Sequence, residues 1–203
     1  IKLVEDRFKL EDLKKIALAL DYEAFWLRYN EGRGLINDIL CLGRLDRHQR
    51  IVGLLCEQAN AAIEEQLKAS FAHVKSQRLP NGVIMNVLDV ENFAHKFTFP
   101  PPGKTSGEVH DLLCKKYDGL PVVTIGYGPD FAVIRSKGVL MNIPKIVREL
   151  REELKNGGVN GGGHLVVGSI KFVGGMRKEV LAKLVGKIAI CPVEEVRPTS
   201  SDQ

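Results

Sequence analysis

Asn160-Gly161-Gly162-Gly163-His164 runs directly into Leu165-Val166-Val167-Gly168. Three consecutive glycines let the backbone take torsions closed to other residues, and let main-chain N–H groups approach a ligand with no Cβ between. The histidine sets a ring donor beside that backbone. The apolar, β-branched residues that follow read as a buried strand from Leu165 to Val173. A glycine turn that carries a histidine into a strand suits an anionic group, phosphate first. The bland alternative is a flexible linker that starts at Asn156-Gly157-Gly158.

Upstream of the turn, Asn142 caps a helix that opens Ile143-Pro144 and runs to about Lys155, with proline in its favoured first turn. Before it come strands at 121–127 and 131–136, joined by the turn Gly128-Pro129-Asp130. Ser106 is a candidate cap for a helix through Lys116, and Phe99-Pro100-Pro101-Pro102-Gly103 reads as a rigid loop. Val83 to Val90 is a buried strand after the turn Pro80-Asn81-Gly82, and Met176 to Val185 is a last helix. Strands alternate with helices, so residues 80–190 read as an α/β or α+β domain with a central sheet flanked by helices.

The first 79 residues are helical in pattern. Leu10, Leu13, Ile16, Ala17, Leu20 and Ala24 recur at helical spacing over residues 9–29. After the break Glu31-Gly32-Arg33-Gly34, a short helix spans Leu35 to Leu42. Asp46 is a candidate N-cap for a helix with no proline before residue 80. About 30 residues at 1.5 Å rise span roughly 45 Å, longer than a small domain needs. We expect residues 1–45 to be a helical segment, 46–79 a connector helix and 191–203 a tail.

Composition is that of a soluble globular chain: 203 residues, 44% hydrophobic and 27% charged. The net charge of +4 is small, but residues 131–190 hold eleven Lys or Arg against four Glu. That excess favours an anionic partner near the glycine turn, or a solvated helix face. The cysteines Cys41, Cys56, Cys114 and Cys191 are scattered in apolar surroundings and fit core thiols of a reducing cytoplasm. No apolar run reaches a membrane span. The chain opens Ile1-Lys2-Leu3-Val4 without an initiator Met, so we expect part of a longer chain.

Other motifs are weaker. Gly103-Lys104-Thr105 lacks the glycine five positions earlier that a phosphate loop requires, and Pro100, Pro101 and Pro102 cannot donate to a phosphate. A loop lysine near a substrate phosphate is the reading left for Lys104. Asp46 and His48 stand two apart on a helix and do not face the same way, so an exposed histidine is expected there. His73, His95 and His110 lack partners at zinc-ligand spacing. Arg135-Ser136 closes an apolar strand where a ligand crevice can form, and arginine binds phosphate through paired hydrogen bonds.

The strand ending Val133-Ile134-Arg135-Ser136, a helix, then Gly161-Gly162-Gly163-His164 and Gly168 together resemble the DHHA1 domain of the DHH phosphoesterase superfamily. Leu165-Val166-Val167 is bulkier than the residues many members carry there. The long helix and the segments 21–26 and 44–48 resemble the archaeal RecJ-like group that includes the GINS-associated nuclease. The resemblance implies substrate binding by Arg135, Ser136, Gly161, Gly162, Gly163 and His164, with single-stranded nucleic acid as partner.

It also implies an upstream body with a manganese (or magnesium) cluster that hydrolyses phosphodiesters, as in a single-strand exonuclease of DNA replication and repair. GINS-type replication proteins would be partners. Glu5-Asp6-Arg7 is too short to represent a metal motif, so we expect this stretch alone to bind without cleaving. Apolar residues Trp26, Leu54 and Leu55 would favour self-association. An oligoribonuclease, a small phosphodiesterase or a non-catalytic replication module are the alternatives.

Overall fold

The apolar runs after residue 80 form the centre of one mixed sheet. The computed structural model describes residues 9–27, 35, 37–94 and 98–194. Its strands are β1 (Lys75–Arg78), β2 (Ile84–Asp89), β3 (Val122–Tyr127), β4 (Phe131–Lys137), β5 (Asn160–Gly163) and β6 (Val167–Lys171). They form a six-stranded sheet in the order β1-β2-β3-β4-β6-β5. β2 and β3 run parallel, and the other neighbouring pairs are antiparallel. The helices are α1 (Leu10–Leu27), α2 (Leu45–Phe71), the single turn α3 (Val90–Phe93), α4 (Pro102–Lys116), α5 (Ile143–Glu153) and α6 (Arg177–Ala189), with one π-helical turn at Asn37–Cys41.

The described chain divides into two compact units. The smaller takes the residues up to Gln66 with residues 98–100, and the larger takes 67–94 and 101–194. In the smaller unit, Ile16, Ala19, Leu35, Ile39 and Val52 form one cluster, and Phe25, Ala59 and Phe99 a second. Tyr22 meets Phe99 edge-on at 5.0 Å, a geometry that aromatic quadrupoles favour. Trp26 and Leu54 stay 42% and 50% exposed, while Leu55 packs against the first cluster.

The larger unit is a sheet with helices on both faces. Val123, Ile125, Ala132, Ile134 and Ile170 point to one face and share a core with Ile143, Val147, Leu150, Val180, Leu184 and Ile188 of α5 and α6. Ile84, Leu88 and Val122 point to the other, where Val109 and Leu113 of α4 cover them. β3 is buried on both sides because both sides are covered, so its mostly apolar sequence runs rather than alternates. Each fully buried aliphatic side chain contributes about 1.5–3 kcal/mol. Outside this core Lys187 of α6 reaches Glu149 and Glu153 of α5 at 2.8 and 2.6 Å. Those hydrogen bonds lower both carboxyl pKa values and raise that of the lysine.

Several elements depart from the sequence reading. The helix expected over 46–79 is Leu45–Phe71, and Lys75–Arg78 pairs with β2 instead. A 72–74 turn separates them, and cross-strand pairing overrides the weak helical pattern of Lys75-Ser76-Gln77-Arg78. Asp46 therefore lies inside the first turn rather than at the cap. His48 is not free in solvent: its Nε2 lies 2.8 Å from Asp38 Oδ2.

Further along the chain, α4 begins at Pro102 with Pro101 as N-cap, so Ser106 is not a cap but a fully buried residue of the second turn. Gly103-Lys104-Thr105 accordingly sits in a helical turn, not a loop. The Asn142 cap appears as read, its side chain accepting from Lys145 N–H at 2.9 Å. Asp6, Arg7, Tyr29, Glu31 to Gly34, His95 and the tail from residue 195 lie outside the described residues.

Candidate functional site

Register decides which side chains meet. Across the sheet Ser76 of β1 stands opposite Asn86 of β2, Asn86 opposite Thr124 of β3, Thr124 opposite Arg135 of β4, and Arg135 opposite Val167 of β6. The backbone of His164 closes the row, its N–H donating to Val167 O at 2.7 Å. Partners in register share a face. One row, polar from Ser76 to Arg135, therefore crosses the sheet on the side that α4 covers, and it ends at the glycine hairpin. Strand spacing places β4 and β5 about 10 Å apart, a gap that an extended arginine and one phosphate fill.

The row is well bonded from Ser76 to Thr124. Ser76 Oγ donates to Asn86 Oδ1 at 2.7 Å, and Asn86 Nδ2 donates to Ile84 O and Val123 O, both at 3.2 Å. His110, buried on α4, places Nδ1 2.9 Å from Thr124 Oγ1 and Nε2 3.4 Å from Cys114 Sγ. Burial pushes the His110 pKa below its ordinary value; Asp111 opposes this and Arg135 and Lys137 reinforce it. The ring is thus kept neutral beside the arginine. Burial also raises the Cys114 thiol, against the pull of Lys137.

Arg135 is different. Its Nε is buried without a partner. An arginine carries five donors, and leaving one buried and unsatisfied costs free energy that a ligand can recover. Ser136, one residue on, points to the face of α5 and α6, and its Oγ is likewise buried and unpartnered. Adjacent strand residues face opposite ways, so Arg135 and Ser136 do not converge.

The glycine stretch is a strand, not a turn followed by a strand. Asn160–Gly163 is the edge strand β5, paired in register with Gly168 to Lys171, and residues 164–166 form the hairpin loop. The expected strand from Leu165 is therefore shorter, and Leu165 and Val166 are 58% and 43% exposed at the hairpin end.

The glycines have unequal duties. A Cβ on Gly161 (φ 155°) would lie 2.2 Å from Ser169 O, and one on Gly163 (φ 145°) 2.3 Å from Val167 O. Both conformations strain an L-residue. One on Gly168 would lie 2.6 Å from Gly162 O and 2.8 Å from Ile143 Cγ2, so its bareness lets α5 close on the hairpin. Gly162 is the exception: a Cβ there meets nothing within 4 Å.

Gly162 stands opposite Ser169, which stands opposite Val133, two residues from Arg135 on the same face. Ser169 and Lys171 on that face are exposed. The face around Gly162 is thus an open shelf of bare backbone with Arg135 one row away. Arg151 of α5 anchors the start of the shelf, with Nε donating to Val159 O at 3.0 Å and Nη2 to Asn160 Oδ1 at 2.8 Å. Asn160 Oδ1 also accepts from Gly161 N–H at 2.9 Å. His164 lies exposed at the shelf's end.

Among the described residues, no three His, Cys, Asp or Glu side chains are placed to hold a metal ion. The described residues therefore offer a manganese or magnesium ion no donor set. Among the same residues no helix is long and apolar enough to cross a membrane.

Sequence reasoning passed over Asn86, Gly107 and Thr124, and read Ser106 only as a cap and His110 only for zinc-ligand spacing. The first three left a local sign: a polar residue inside an apolar strand for Asn86 and Thr124, and a glycine inside a helical run for Gly107.

No family model matches the chain. It is 44% identical over 183 residues to an uncharacterized protein of Methanocaldococcus jannaschii, MJ1198, covering 86% of this chain and 24% of that protein. Among solved structures it resembles the DHH domain of PF0399, described as a member of the S1p family of ribosomal proteins, with 42% identity and a TM-score of 0.83. That alignment covers 94% of this chain and 45% of the PF0399 chain. RecJ of Thermus thermophilus, in complex with Mg2+, aligns with 17% identity and a TM-score of 0.49 over 89% of this chain and 25% of that one. The chain thus spans about a quarter of its curated relative and under half of the PF0399 structure. Its similarity to the DHH-domain structure of PF0399 supports the DHH/DHHA1 superfamily, and its mixed sheet flanked by helices matches a DHHA1-like α/β fold.

Proposed function

We propose that the larger unit is the substrate-binding part of a RecJ-like phosphoesterase and holds a phosphate of single-stranded nucleic acid. Arg135 supplies the charge, the backbone of Gly161 to Gly163 supplies close approach, and His164 closes the end. Ser136, on the opposite face, would act by supporting β4 rather than by touching substrate. The observation that carries the reading is the juxtaposition of Arg135, with its buried unpartnered Nε, and the open shelf at Gly162. A guanidinium with donors to spare recognises phosphate oxygens in pairs. Bare backbone beside it lets the chain of a nucleotide lie flat. The local excess of Lys and Arg over residues 131–190 supplies the field that draws a polyanion in.

In a longer protein, the metal-dependent hydrolysis implied by the resemblance would belong to other residues, with manganese or magnesium as its ion. The described residues offer it no donor set. The role assigned to this stretch is therefore binding and orientation of the strand. The test is a salt titration of single-stranded oligonucleotide binding. Arg135→Ala is expected to weaken binding about tenfold, since a charge-assisted hydrogen bond contributes about 1.5–3 kcal/mol. Its salt dependence should fall by about one phosphate contact. Wild-type affinity and salt slope in the folded variant would overturn the proposal.

A further inference from the structure

Glycine inside a helix costs about 1 kcal/mol relative to alanine, so an interior glycine asks for a reason. Helix α4 contains two, Gly103 and Gly107. A Cβ on Gly103 would meet nothing within 4 Å. A Cβ on Gly107 would lie 2.9 Å from Arg135 Cζ and Nη2 and 3.1 Å from Nε. The guanidinium thus lies against the bare Cα of the helix. The next element down interlocks the same way: a Cβ on Gly126 of β3 would lie 2.6 Å from Ser106 Oγ. Two missing Cβ atoms, one on the helix and one on the sheet, let α4 sit close enough to β3 and β4 to form a slot.

From this contact we infer that Gly107 is a positioning residue for Arg135, acting through the guanidinium and touching no ligand itself. The inference rests on the reading of Arg135 as the phosphate-binding group. The slot confines the arginine from the helix side, and Thr124, its partner in register, is tied to His110 below it. The guanidinium is thus held between α4 and the strand row. Preorganising a long, rotamer-rich side chain removes part of the ordering cost of binding. A methyl group at residue 107 would meet the far end of a flexible side chain, not backbone. The arginine would swing away while helix and sheet stay in place.

The experiment uses Gly107→Ala, Arg135→Ala, the double variant and Gly103→Ala as control. It reads Tm and the salt-dependent binding of a single-stranded oligonucleotide. Gly107→Ala is expected to weaken binding about tenfold and lower the salt slope, as Arg135→Ala does, and the double variant to bind no worse than either. Alanine at 107 should raise Tm by about 2 °C in the Arg135→Ala background and by less in wild type, whereas Gly103→Ala gains fully in wild type.

Wild-type binding by Gly107→Ala, with binding lost in Arg135→Ala, would overturn the positioning role and leave the functional proposal standing. Wild-type binding by Arg135→Ala would instead sink the functional proposal, and the inference with it. The Tm comparison judges the contact separately. Equal gains from Gly107→Ala in both backgrounds would show that Arg135 does not fill the slot.

Discussion

The two edges of the sheet solve one problem in opposite ways. Both β1 and β5 are four residues long and both are edge strands with backbone groups turned outward. β1 reads Lys75-Ser76-Gln77-Arg78, and all of it is exposed. Charged side chains at an edge discourage pairing with another chain. β5 reads Asn160-Gly161-Gly162-Gly163 and has almost no side chains to guard it. It is short, and Arg151 and Asn160 bond over its start. A guarded edge spends its side chains on exclusion. A bare edge keeps its backbone approachable, which a binding strand needs and a merely structural one does not.

Breaking β5 should have the largest effect. Gly161→Val and Gly163→Val put a Cβ within 2.2–2.3 Å of carbonyl oxygens on β6, in a backbone region closed to valine. Each is expected to cost on the order of 3 kcal/mol, through unpairing of the β5–β6 hairpin. Denaturant unfolding reads this directly. Gln77→Val on β1, an exposed strand position, should stay within about 0.5 kcal/mol of wild type. Equal costs at the two edges would erase the distinction.

A smaller effect sharpens the role of the covered row between the edges. His110 titrates below its ordinary value of 6.5 because burial disfavours its charged form. In the unfolded chain the same ring takes up its proton near pH 6.5. The unfolded state therefore binds more protons below that pH, and folding stability falls as pH drops from about 6.5 toward the folded value. His110→Gln should flatten that part of the profile. A profile as steep as wild type would place the acid sensitivity elsewhere. The smallest effect is expected from Lys75→Ala with Arg78→Ala. If the charges on β1 serve only to guard it, oligonucleotide affinity and salt slope should barely change. A drop comparable to Arg135→Ala would move the binding surface to the other edge.

What the sequence disclosed follows from how local each signal is. The apolar strands β2, β3 and β4 and the amphipathic helix α5 with its Asn142 cap are legible because pattern and cap are local. Arg135 and the three glycines were legible as residues, but not their roles. Gly161 and Gly163 serve close pairing with β6, whereas Gly162 faces open space, and only the register separates them. β1 was hidden because Lys75-Ser76-Gln77-Arg78 has no strand pattern of its own and exists by pairing with β2. Gly107 and Ser106 were hidden because their partners, Arg135 and Gly126, are supplied by distant strands.

The most direct measurement follows the backbone amides themselves. At 22.5 kDa the chain suits amide-resolved NMR. A titration with a short single-stranded oligonucleotide should shift the amides of Gly161, Gly162, Gly163 and His164, together with Arg135, and leave Lys75 to Arg78 in place. Shifts centred on the β1 edge, or a binding oligonucleotide that leaves the glycine amides unmoved, would contradict the assignment of the bare strand as the phosphate-binding surface.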